Sequence, residues 1–63
     1  MGEAAKKATL ADNIAGWGHD KEASKKAAEA MAAGLSSQAG VSVEEQMDIM
    51  VRVSAEASSF DEF

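Results

Sequence analysis

The chain has no cysteine, no proline and no tyrosine among its 63 residues. Without cysteine, no disulfide staples the fold, and no thiolate binds zinc or acts as a nucleophile. Without proline, the glycines carry the punctuation. Large side chains are also scarce. The apolar fraction is 46%, but fourteen of those residues are alanine. No apolar run approaches the roughly 18–20 residues that span a membrane. The opening Met1-Gly2-Glu3-Ala4-Ala5-Lys6-Lys7 leads into no apolar h-region of a secretory signal. These absences set the expectation of a cytoplasmic protein. Basic side chains are few, six against eleven acidic, for a net charge of −5. Nonspecific nucleic-acid binding runs on Lys and Arg, so no direct nucleic-acid partner is expected. Anionic lipid repels an acidic amphipathic helix, so no membrane partner is expected either.

What is present reads as helix. Alanine is the best helix former, and two glycine breaks, Gly16-Trp17-Gly18 and Gly40-Val41-Ser42, divide the chain into three segments. The first runs over about 3–15, with Leu10, Ile14 and Trp17 on one face at i, i+4 and i+7. The second runs over about 20–39 from an N-cap at Asp20, with Gly34 as an earlier alternative stop. Ser24, Ala27, Ala28, Met31 and Leu35 form its apolar stripe. Ala23, Ala27, Ala30 and Gly34 form a second stripe suited to close backbone approach, and Lys25 and Glu29 stand as an i, i+4 ion pair. The third runs over about 43–58 and opens with a capping box, Ser42 as N-cap and Glu45 at N3. A strand over 47–54 is the alternative, since Ile49, Val51 and Val53 alternate with Met50 and Arg52.

On the third helix, Glu44, Glu45, Asp48, Arg52 and Glu56 fill one polar arc. Val43, Met47, Ile49, Met50, Val51, Val53 and Phe60 spread over about 200°, wider than the roughly 100° a one-sided helix needs. Such a helix needs two neighbours. It sits centrally among three helices, or part of it meets another chain. The expected fold is all-α, two or three short helices in one domain over 1–63. At this size hydrophobic burial leaves little surplus over chain entropy, so oligomerisation or a partner is expected to complete it.

Each candidate for chemistry has a plainer reading. His19-Asp20 is the only imidazole beside a carboxylate, but a catalytic or metal site needs further groups; the plain reading is a loop histidine before an N-cap. Glu44, Glu45 and Asp48 form an acidic turn without the loop pattern of an EF-hand. Leu35 to Ser42 has the small residue and turn glycine of a helix-turn-helix, but the helix after it begins with glutamates that phosphates would repel. No nucleophile, base and orienter come together. No cofactor, no metal and no enzyme activity are expected.

The net charge is confined to one half. Residues 1–33 balance, whereas 34–63 hold Arg52 against Glu44, Glu45, Asp48, Glu56, Asp61 and Glu62. Three binding elements follow. Met31, Leu35, Met47, Ile49, Met50, Val51 and Val53 are the expected partner or self-association surface, methionine being adaptable. Glu44, Glu45, Asp48 and Glu56 are an acidic face for a basic partner. Phe60, Asp61, Glu62 and Phe63 are a docking tip, two aromatic anchors with carboxylates. Those residues suit a hydrophobic pocket with a basic rim, and over three residues the tip looks like the acidic, Phe-ended tips of bacterial single-strand-binding proteins. The function expected is a small acidic helical interaction module, a homo-oligomer or a subunit of an assembly. The alternative is a small inhibitor or mimic of the phage type whose acidic half occupies a basic surface.

Overall fold

Helix propensity and the glycine breaks together produce three helices: α1 (Glu3–Ala15), α2 (Lys21–Ser36) and α3 (Val43–Glu56). The computed structural model describes residues 2–63; Met1, the first residue of the expected domain, lies outside them. The helices pack together as a small three-helix bundle, and the described residues contain no strand. The 47–54 segment is helical because Met47 and Ser54, seven residues apart, face the same interior.

α1 is the central helix. It packs against both α2 and α3, which touch each other far less. The expectation had the widest apolar arc, that of α3, either in the middle or in part against another chain; α1 takes the middle. Side-chain size accounts for the difference. Leu10 and Ile14 are fully buried and fill the axis of the bundle, while the small residues around them on α1 let two helices approach. From α2 the buried residues are Ser24, Ala28, Ala32 and Leu35; from α3 they are Met47 and Ser54. Ala27, Met31, Val41, Val43, Met50, Val51 and Phe63 pack around that centre, half-buried. The stripe Ala23, Ala30 and Gly34 faces solvent instead of another backbone, and open space surrounds the Gly34 α-carbon.

Side chains competing for backbone groups set the helix ends. Asp20 caps α2 as expected, its Oδ1 accepting the Ala23 N–H at 2.7 Å. α2 stops at Ser36, between the two expected glycine stops. There Ser36 Oγ donates to the Ala32 carbonyl and Ser37 Oγ to that of Gly34, and Gln38 N–H takes the tighter bond to Leu35. Serine hydroxyls that bond to the backbone in this way weaken helix continuation. Gly40, at φ +78°, then turns the chain toward α3. The capping box does not form. Ser42 is the N-cap residue of α3, but its side chain accepts no N–H. α3 ends at Glu56, two residues early, where Ala57 turns extended.

The two caps differ in a way that stability measures. Asp20→Ala removes a formed cap bond and is expected to lower stability by about 1 kcal/mol. Ser42→Ala removes none and should cost a few tenths at most. Urea titration followed by circular dichroism reads both.

Candidate interaction surface

A hydrogen-bonded seam between α1 and α3 decides what α3 shows to the outside. Ser54 is 1% exposed. Its hydroxyl donates to the Val51 carbonyl at 2.8 Å and accepts from Asn13 Nδ2 at 2.9 Å. Asn13 Nδ2 also donates to the Val51 carbonyl at 3.3 Å. Trp17 Nε1 donates to the Ser54 carbonyl at 3.2 Å. That carbonyl is the one Ser58 N–H would take if α3 continued, so the indole satisfies one of the orphan acceptors at the helix end. Among the described residues every buried polar side-chain atom has a partner.

The seam turns one edge of α3 inward and leaves the other out. Met47 and Leu35, both expected at a partner interface, lie in the core at 0% and 9% exposure. Met31, Met50 and Val51 are half-buried against that core. Ile49 is 47% exposed, and half-buried Val53 lies one turn further on. So the expected surface divides: most of it closes the bundle, and Ile49 with Val53 faces outward.

The acidic face divides as well. Asp48 pairs with Lys6 at 3.9 Å and with Arg52 at 3.3 Å. Lys6 Nζ also donates to the Glu44 carbonyl at 3.2 Å, tying α1 to the first turn of α3. These two are the ion pairs among the described residues, so the Lys25–Glu29 pair does not form and Glu44, Glu45 and Glu56 stay unpaired. All three are exposed. Exposed pairs contribute about 0–1 kcal/mol, so their absence costs the fold little.

At the tip, the two phenylalanines separate. Phe63 packs toward the core, its ring centroid 5.7 Å from that of Trp17. Phe60 meets Trp17 edge-on at 5.1 Å yet stays 44% exposed. Trp17 therefore lies over the end of α3, and its indole N–H bonds to the Ser54 carbonyl. Ser58 Oγ donates to both carboxylate oxygens of Glu62, and Phe63 N–H donates to the Ser59 carbonyl. Asp61 and Glu62 remain exposed. His19 is exposed, with its ring 5.2 Å from that of Phe60, and the neighbouring Asp20 carboxylate is engaged as a cap. Among the described residues no three His, Asp or Glu side chains gather where they would hold a metal ion.

Asn13 and Lys6 are the residues that the sequence pattern did not single out. Asn13 offered one signal, a mid-helix amide four residues before Trp17, on the side of Ile14. Comparison of the chain with protein-family models, with curated proteins and with solved structures finds no match in any of the three.

Two predictions follow from this geometry. Met47→Ala is expected to cost about 2–5 kcal/mol, and Ile49→Ala, two residues along the same helix, within about 0.5 kcal/mol, both by chemical denaturation. Trp17→Phe keeps the ring and removes the indole donor. It should cost about 0.5–1.5 kcal/mol and speed amide hydrogen exchange over residues 57–63 more than in α2.

Proposed function

We propose that this chain is a helical protein–protein interaction module that works through the outer face of α3. The observation that carries the reading is Ile49. A large β-branched side chain stands 47% exposed on a helix whose neighbours at 47 and 54 are buried, and Glu45 and Glu56 frame it at i−4 and i+7. An apolar anchor within a charged border has the arrangement of a small recognition patch. No catalytic chemistry is part of this reading.

The charge distribution favours a second reading, the acidic mimic. The whole net charge of −5 lies in residues 34–63, and Glu44, Glu45 and Glu56 make no ion pair among the described residues. A basic surface on a target protein complements them. The readings differ in what drives binding: apolar contact at Ile49 in the first, long-range charge in the second.

Ile49→Glu separates them. The substitution adds charge at an exposed position and should leave the far-ultraviolet spectrum and thermal midpoint within a few degrees of wild type. The test isolates bound proteins from an extract of the cells that express the chain, and measures its own association by light scattering. The module reading expects the variant to lose what wild type binds, itself included. The mimic reading expects binding that survives the variant and falls steeply with salt. A wild-type chain that binds nothing overturns both.

A further inference from the structure

The α1–α2 side of the bundle carries a groove with a floor of alanine. Ala8, Ala11 and Ala15 line its wider part, of about 230 Å³, and Ala4, Ala8 and Ala11 the adjoining part, of about 130 Å³. The rim is charged: Lys21 and Lys25 stand over the first part, Lys7 and Lys25 over the second, with Asp12 and Glu29 beside them. Neither carboxylate forms an ion pair with these lysines, so Lys7, Lys21 and Lys25 are unpaired cations among the described residues. A groove between α1 and α3 differs: Lys6 and Asp48 both line it and are already paired with each other.

We infer that the occupant of the α1–α2 groove is the outer face of α3 from a second copy of this chain. The inference rests on the module reading and names its partner. Three observations carry it. In size, the groove lacks what the face has in excess: small alanine side chains line the one, and Ile49 and Val53 project from the other. In charge, the groove's rim carries Lys7, Lys21 and Lys25 against Asp12 and Glu29, a surplus of one cation, and the face carries Glu45 and Glu56, unpaired among the described residues, beside the mutually paired Asp48 and Arg52. In length, the floor runs from Ala4 to Ala15 and the face from Glu45 to Glu56. Each span is twelve residues of helix, eleven steps or about 16 Å at 1.5 Å per residue, so one helix lies along the other.

The two surfaces are on different sides of the molecule, so the contact is heterologous. A copy that docks its α3 in a neighbour's groove leaves its own groove free. Association therefore proceeds past the dimer unless the rotation closes a ring. One helix stripe is smaller than the about 800 Å² per partner of a standard interface. The association is accordingly weak, salt-sensitive and visible at high protein concentration.

Charge reversal tests the inference with the whole chain. One variant carries Lys21→Glu and Lys25→Glu, the other Glu45→Lys and Glu56→Lys. All four positions are exposed, and circular dichroism checks that both variants fold. Sedimentation equilibrium of wild type at low salt is expected to show mass rising with concentration past the dimer. Each variant alone should associate about tenfold or more weakly, since like charges then face each other. An equimolar mixture should recover wild-type affinity, because each reversed surface meets a reversed partner. A wild type that stays monomeric, variants that associate unchanged, or a mixture that recovers nothing each overturns the inference. A monomer that still captures another protein through Ile49 leaves the module reading standing; a monomer that captures nothing ends both.

Discussion

Leu10, Ile14 and Met47 are the large side chains that solvent does not reach, and two of the three belong to α1. A centre this small cannot hold three helices at ordinary spacing. The inward positions beside those side chains are therefore small: Ala28, Ala32 and Ser24 on α2, Ser54 on α3. Small contacts bring backbones close but bury little area, and the hydrophobic contribution follows area. Much else in the structure follows from that shortage. α1 is central because it supplies most of the bulk. α2 and α3 each pack chiefly on it and touch each other less. Shallow grooves run along α1 on both sides because alanine does not fill them.

Hydrogen bonding supplies the orientation that bulk does not. A core of few large side chains gives α3 little reason to prefer one rotation about its axis. The seam gives it one. Ser54 is held at once by its own turn, by Asn13 and, through its carbonyl, by Trp17. Each neutral bond contributes only about 0.5–1.5 kcal/mol net, but a buried partner left unsatisfied costs more than that. Rotating α3 by one residue would unpair three such groups together. The seam also reaches the end of the chain. Trp17 holds the last turn of α3 with its indole N–H and receives Phe60 and Phe63 on its ring system. So a residue in the first inter-helix turn organises the segment that follows the third helix.

How much of this was legible in the sequence depended on the range of the interaction. Contacts within one turn read well: the span of α1, the Asp20 cap, the two glycine breaks and the start of α3 at Val43 all follow from neighbours in sequence. The ends of α2 and α3 did not read. Ser36 and Ser37 choose helical carbonyls over solvent, and the Ser54 carbonyl is bonded by an indole thirty-seven residues away. The capping box matched its pattern at Ser42 and Glu45, yet the side-chain bond is absent. The candidate surface was half legible. Periodicity identified Ile49 and Val53 as residents of one wide apolar arc and the glutamates as residents of the polar arc beside it. It did not show which edge of the apolar arc α1 would cover, because that choice is made by Asn13, an ordinary polar residue on a different helix.

The charges that remain unpaired are informative because the fold did not need them to be. Exposed ion pairs contribute so little that stability alone leaves the placement of Lys7, Lys21, Lys25, Glu44, Glu45 and Glu56 nearly free. Random placement on a molecule this small would bring cations and carboxylates within reach of each other at several points. Here the pairs converge on one carboxylate, Asp48, in the α1–α3 seam, and the remaining charge is uneven: Lys7, Lys21 and Lys25 stand with Asp12 and Glu29 at the α1–α2 groove, whereas residues 34–63 carry the whole net charge of −5. Uneven charge makes a surface dipole, which on the proposed reading orients neighbouring copies before they touch. Apolar contact then decides whether the encounter lasts, and Ile49 is the large aliphatic side chain most exposed on that acidic side. On the proposed reading, a core that leaves Ile49 outside keeps it where a neighbouring copy's alanine floor has room for it.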